Sequence, residues 1–161
     1  EQQFKETVAQ ALQEGRRLIN ELRIVALEDD GLDEAIREIV SRIEERGSIA
    51  IHLDNQLGNL VIPVPMQSTV MRILQEALTN AERHSGASRV DILLQRIAPH
   101  DIRISIADNG VGFDPASVPE DRFGLEGVLK RAELFGGVAQ IESEPGKGTR
   151  LLIELPLPHD D

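Results

Sequence analysis

Two short stretches of this chain carry residues whose types and spacing could do chemistry. In residues 73–84, ILQEALTNAERH, Glu76, Asn80 and Arg83 recur at i, i+4 and i+7. On a helix that spacing makes a narrow polar stripe beside an apolar face centred near Ala77 and Ala81. A solvated stripe with surface charges would explain Glu76 and Arg83. Asn80 fits that explanation poorly, because a mid-helix amide competes for the backbone. Its carbonyl is, however, a hard oxygen ligand suited to Mg²⁺. The second stretch is DNGVGFDP, residues 108–115, which follows the alternating run of 102–107. It sets an aspartate at a strand end and then two glycines one residue apart. Asp-Asn-Gly is ordinary turn chemistry, and this stretch alone does not separate a turn from a ligand site.

A third stretch, RFGLEGVLKR at 122–131, opens a helix with Gly124 and Gly127. Glycines there allow a ligand close to the backbone, and free N–H groups with the helix dipole attract phosphate. An ordinary helix start with a glycine cap explains the same residues and would be preferred in isolation. Several other motifs are excluded. GVGFDP lacks the third glycine of a dinucleotide loop and no helix follows it directly. GKGT at 146–149 lacks the upstream glycine of a phosphate loop and leads into a strand. His52, His84, His100 and His159 show no metal-ligand spacing among themselves. No Ser-His-Asp elbow is present.

The elements that must position these residues follow from periodicity. Residues 4–27 read as a helix with Phe4, Val8, Ala11, Leu12, Leu18, Ile19, Leu22 and Val25 on one stripe. A second helix spans 32–46, with Leu32, Ala35, Ile36, Ile39, Val40 and Ile43 inward and Gly47 as its stop. Residues 48–53 alternate as a strand, and 60–62 form a short apolar run, read as another strand, before Pro63 and Pro65. The strongest helix covers 66–84, with Val70, Ile73, Leu74, Ala77, Leu78 and Ala81 inward. Strands at 89–97 and 101–107, a loop over 108–123, a helix at 124–135 and strands at 138–143 and 149–155 complete the chain. The last two strands share a tight turn and must be antiparallel neighbours. The expected fold is α+β: a two-layer sandwich with helices on one face of a mixed, mostly antiparallel sheet, preceded by an N-terminal helix.

Composition narrows the class. The 161 residues suggest one domain with an appendage, and a 40% hydrophobic share supports a core built of Leu, Ile and Val, since aromatics are 2%. A formal net charge of -11 repels phosphate backbones, so nucleic acid is an unexpected partner. A nucleotide is compatible, because local N–H groups and a metal can hold phosphates. The absence of cysteine removes disulfides and thiolate chemistry and fits a reducing compartment. No apolar run is long enough to span a bilayer and no signal peptide is visible. The chain begins with Glu rather than Met, which reads as a fragment of something longer.

In combination the stretches become specific. EALTNAERH, DNGVGFDP, FGLEGVLKRAELFGG and PGKGTRLLIELP occur in this order. They resemble the N, G1 and G2 boxes and closing strands of the ATP-binding catalytic domain of sensor histidine kinases. That domain has the Bergerat ATPase fold, shared in outline with gyrase B, the Hsp90 chaperones and the MutL repair proteins. The form of GLEGVLKRAELFGG resembles the nitrate/nitrite-sensor and thermosensor subfamily. RRLINELRIVALEDDGLDEAI resembles the segment after its second dimerisation helix. The implied organisation is the end of that helix over 1–27, a linker helix region over 28–47, the catalytic domain over 48–158 and a tail at 159–161.

The resemblance also implies roles. Asp108 would accept a hydrogen bond from the adenine amino group, Gly110 and Gly112 would let the backbone pass close to the nucleotide, and Thr149 would support the base. Asn80 would ligate Mg²⁺, and Arg83 and His84 would lie near the phosphates. Residues 114–123 would form a lid, with Gly124, Leu125 and Gly127 in the phosphate-facing helix start. Glu76 would be the catalytic residue that activates an accepting histidine. No histidine precedes His52, so the phosphoacceptor would lie on a dimerisation helix absent from this fragment, which could bind ATP but not phosphorylate itself. The implied partners are that histidine, a response regulator and, in the full-length protein, a second copy. The implied location is the cytoplasmic portion of a membrane-bound sensor. Two alternatives share the fold: an anti-sigma-factor-like serine kinase, against which residues 1–47 argue, and an inert nucleotide-binding interaction module, against which intact Glu76, Asn80 and Asp108 argue.

Overall fold

The structure, a computed structural model, describes residues 2–26, 31–47, 49–58, 60–97, 99–117 and 124–158, with the backbone alone described for 16–26. The chain runs α1 (Gln2–Ala26), α2 (Gly31–Glu45), β1 (Ala50–Gln56), α3 (Val64–Arg83), β2 (Arg89–Ile97) and β3 (Asp101–Asp108). After a short 3-10 turn at Pro115–Ser117 come α4 (Gly124–Leu134), β4 (Val138–Ser143) and β5 (Thr149–Pro156). The strands form one sheet in the order β1-β2-β3-β5-β4. β1 and β2 are parallel, joined across α3, and the other three pairings are antiparallel. This is the expected mixed, mostly antiparallel sheet.

Strand parity sets the core. Val90, Ile92 and Leu94 of β2, Ile102, Ile104 and Ile106 of β3, and Leu151, Ile153 and Leu155 of β5 are all buried. In register, Ile92 faces Ile106 and Ile104 faces Ile153, so these side chains share one side of the sheet. Alternate residues such as Arg103 and Glu154, which pair at 2.6 Å, lie half-exposed on the other side. The helices therefore cover one face. α3 contributes all six residues that its periodicity pointed inward, each 8% exposed or less, and each buried Leu, Ile or Val is worth about 1.5–3 kcal/mol of hydrophobic transfer.

One segment departs from expectation. Residues 60–62 form no strand: Ile62 is buried but Val61 is 85% exposed, and the segment leads into Pro63, the cap of α3. Pro63 and Pro65 have no N–H to give a ladder, so Ile62 plugs the core while the backbone turns. α2 turns its expected inward face to the core, with Ala35, Ile36 and Ile43 buried and Leu32, Ile39 and Val40 packed against them. The apolar stripe of α1 stays outside: Phe4, Val8 and Leu12 are exposed, while the stripe beyond residue 15 lies outside the described side chains. No helix among the described residues is long and apolar enough to cross a membrane.

Candidate nucleotide-binding site

Asp108 ends β3 on the same side of the strand as Ile102, Ile104 and Ile106, so a carboxylate terminates an otherwise apolar row facing the helices. Its partner in register is Thr149, the first residue of β5. Above them stands α3, and between the layers lies a small cavity. Asp108, Thr149 and Leu151 line its sheet side, Ala77, Asn80 and Ala81 its helix side, and Phe113 and Leu125 close it. Its volume of about 20 Å³ holds roughly one water, which needs about 10–15 Å³. Phe113 and Leu125, 6% and 4% exposed, flank the loop over 114–123. Residues 118–123 of the expected lid lie outside the described residues.

The polar groups in this cavity are not all satisfied. Asp108 Oδ1 accepts the N–H of Gly110 at 2.9 Å, an Asx turn that leaves the carboxylate with spare acceptor sites. Asn80 Nδ2 is buried and has no hydrogen-bond partner. An orphaned buried amide costs about 1–3 kcal/mol, so a fold that keeps one here points to a ligand. Among the described residues no group of three or more His, Cys, Asp or Glu is placed to hold a metal. An ion at Asn80 would therefore take most of its ligands from phosphate and water, which is how Mg²⁺ is commonly held.

The structure divides the stripe seen in the sequence. Asn80 lines the cavity, whereas Glu76 and Arg83 line a wider groove of about 740 Å³ between α1, α2, α3 and α4. Arg42, Arg46, Arg72 and Arg131 also line that groove, together with Glu14; Arg42 is paired with Glu38, and Arg46 with Glu82 at 2.7 Å. Gly124 and Gly127 line the groove, while Leu125 faces the cavity. The Glu76 carboxylate rests against Gly124, where an added Cβ would lie 1.4 Å from Oε1. His84 caps the end of α3 through its N–H to Asn80 O at 3.0 Å and is in neither lining.

The glycines of DNGVGFDP make room for protein. A Cβ on Gly110 would lie 2.4 Å from Ser85 O, and one on Gly112, at φ +63, would lie 2.0 Å from Glu144 O. The loop is stitched down at those points: Val111 N–H donates to Ser85 O at 2.8 Å, and Gly146 N–H to Val111 O at 2.6 Å. Asn109 accepts the N–H groups of Ser88 and Arg89 and donates to Ser88 Oγ. Sequence reasoning missed Phe113 and Ser143. Ser143 stands opposite Thr149 in register, a position readable from the hairpin turn.

The comparisons with known proteins agree with this geometry. The signature of the histidine kinase-, DNA gyrase B-, and HSP90-like ATPases matches residues 66–159. The sensor histidine kinase LiaS of Bacillus subtilis is 36% identical over 148 residues, covering 92% of this chain and 40% of its own length. The signal transduction histidine-protein kinase/phosphatase DegS of Brevibacillus brevis is 31% identical over 154 residues, covering 96% and 40%. The chain thus spans about two fifths of these relatives. Among solved structures, the blue-light activated histidine kinase EL346 of Erythrobacter litoralis superposes with a TM-score of 0.75 at 22% identity, over 92% of this chain and 50% of that one. Full-length ShkA in complex with AMPPNP gives 0.64 at 23% identity, over 80% and 30%. With the signature covering more than half of its length, the chain belongs to the histidine kinase-, DNA gyrase B-, and HSP90-like ATPase family.

Proposed function

We propose that this chain binds MgATP with adenine in the cavity between α3 and the β3–β5 strand ends, and passes the γ-phosphoryl group to a histidine on a dimerisation helix, for relay to a response regulator. The observation that carries this reading is the facing pair of Asp108 and the unpartnered Asn80 amide across one cavity, with an arginine-lined groove on the other side of the same helix. Asp108 accepts from the adenine 6-amino group. Asn80 lies where base gives way to phosphate. Mg²⁺, when bound, would be held by Asn80 with phosphate oxygens and water, and would neutralise phosphate charge. Arg83 adds positive charge from the groove, and His84 is assigned to the phosphates only by its place beside Arg83. The start of α4 at Gly124 and Gly127 faces the phosphates. Gly110 and Gly112 serve the base by holding the loop against Ser85 and Glu144.

Glu76 faces the groove, which we assign as the approach of the accepting histidine. There it polarises an incoming imidazole, whose nitrogen bonds to the γ-phosphorus as the bond to the ADP oxygen breaks. The exposed stripe of Phe4, Val8 and Leu12 supports α1 as part of a helix that pairs with a second copy. A complex of a fold neighbour with AMPPNP supports an adenine nucleotide as the ligand. Calorimetry with ATP and GTP, with and without Mg²⁺, is the test. Guanine would set its 6-carbonyl against Asp108, costing on the order of 1–3 kcal/mol. Equal affinities for the two nucleotides, or no effect of Asp108→Ala, would sink the assignment.

A further inference from the structure

We infer that Ser143 is a positioning residue for base specificity: it fixes the direction of the Thr149 hydroxyl so that the sheet side of the cavity offers only acceptors. The inference rests on the cavity's being the base site. It follows from counting protons on one oxygen. Ser143 Oγ makes three contacts: Phe113 N–H donates to it at 2.9 Å, it donates to Gly148 O at 3.0 Å, and it lies 2.9 Å from Thr149 Oγ1. A serine hydroxyl has one proton and two lone pairs, and a backbone carbonyl only accepts. The bond to Gly148 O therefore uses the only proton of Ser143, and the Phe113 N–H occupies one lone pair. The contact with Thr149 then has one direction, with Thr149 donating into the remaining lone pair.

Thr149 is left with lone pairs alone to present to the cavity that it lines beside Asp108. Asp108, as a carboxylate, is also an acceptor. Two acceptors side by side select an exocyclic amino group and reject a carbonyl at the same ring position. Without Ser143, the Thr149 hydroxyl could turn its proton into the cavity and donate to a 6-oxo group. Ser143 would thus make a rotatable hydroxyl into a fixed reader, while its bond to Phe113 N–H ties the same network to a side chain that closes the cavity.

The test compares ATP, GTP and purine riboside triphosphate, which lacks a 6-substituent, by calorimetry on this chain. Ser143→Ala should narrow the preference for ATP over GTP by about 3- to 10-fold, the worth of one neutral hydrogen bond, and Ser143→Thr should restore it. In a Thr149→Val background, Ser143→Ala should leave that preference unchanged, because no hydroxyl remains to be turned. An unchanged preference in Ser143→Ala, or an equal narrowing in the Thr149→Val background, overturns the inference. If Ser143→Ala fails to fold, Thr149→Val alone decides, since it keeps the Ser143 bonds to Phe113 and Gly148. It should narrow the preference for ATP over purine riboside triphosphate by a similar factor, and no narrowing overturns the inference. A native chain that binds none of the three nucleotides overturns the base-site reading and this inference together. A native chain that prefers ATP by the same margin with or without Ser143 overturns the inference alone.

Discussion

Gly124→Ala tests the role of Glu76 without touching Glu76. The new Cβ would lie 1.4 Å from Glu76 Oε1, 2.1 Å from Cδ and 2.9 Å from Cγ. Non-bonded heavy atoms settle near 3.5–4 Å, so the carboxylate must retreat by about 2 Å. Gly124 is not among the positive-φ glycines, and its three nearest clashes are all with the end of one flexible side chain. Gly124 is the first residue of α4, where the interior advantage of alanine does not apply and glycine caps better, so folding stability should fall by about 1 kcal/mol or less. Transfer should change far more. Misplacement by about 1 Å can cost about 10²-fold, and general-base assistance is worth about 10²–10⁴-fold. Gly124→Ala should therefore slow phosphoryl transfer at saturating ATP by about 10²-fold or more, a loss separate from any fall in ATP affinity at the phosphate-facing helix start. The assay is single-turnover transfer to a dimerisation domain restored in cis or supplied in trans, with calorimetry for binding. Glu76→Gln should behave alike, and the double variant should be little worse than either single one, because both remove the same interaction. Full-rate transfer by Gly124→Ala would refute the catalytic role of the carboxylate at this position. Loss of ATP binding in Glu76→Gln would move Glu76 into the nucleotide or metal shell.

Gly112→Ala meets two backbone carbonyls, Glu144 O and Gly148 O, at 2.0 and 2.8 Å, from a residue at φ +63. It should cost about 3 kcal/mol and lower Tm by roughly 6–12 °C in a thermal melt. Asn80→Ala removes a buried, unpartnered amide nitrogen from the last turn of α3, so the nucleotide-free chain should gain about 1 kcal/mol in denaturant unfolding while Mg-dependent nucleotide affinity falls. Limited proteolysis within 114–123 should slow when a non-hydrolysable ATP analogue is bound, and identical cleavage patterns would count against a gating role for the loop.

Much of the fold and part of the site could be read from residue order. The inward face of α3 was legible because six apolar residues recur at helical spacing, and all six are buried. The placement of Asp108 was legible from strand parity, since it continues the row of Ile102, Ile104 and Ile106. Contacts between segments distant in sequence were not. Nothing in DNGVGFDP tells what its glycines touch, because Ser85 and Glu144 arrive from other elements. Residues 60–62 look like a strand by composition, and only the missing N–H groups of two prolines argued otherwise. The inward face of α2 was legible from the same helical spacing, and Ala35, Ile36 and Ile43 of that face are buried.

The split of the polar stripe on α3 has a simple geometric origin, and it sets a last test. Successive helix residues are about 100° apart. Taking Ala77 as the origin, Ala81 lies at about +40°, Asn80 at −60°, Glu76 at −100°, Arg83 at −120° and Arg72 at −140°. Ala77, Asn80 and Ala81 line the cavity, while Glu76, Arg83 and Arg72 line the groove. Asn80 is the residue at the border, so a ligand that runs from base cavity to groove passes it first. This explains why a poor helix former stands there, and why its neighbours round the helix are apolar on one side and charged on the other. Moving the amide should then abolish its use. Thr79 lies about 100° beyond Asn80, wholly on the groove side, where it is among the lining residues. The double variant Asn80→Ala/Thr79→Asn keeps the composition of the stripe but takes the amide off the border. It should bind nucleotide with the weakened Mg dependence of Asn80→Ala alone. Recovery of native Mg dependence in that variant would show that an amide anywhere near the groove suffices, and the assignment of Asn80 as the metal-side ligand at the border would fall.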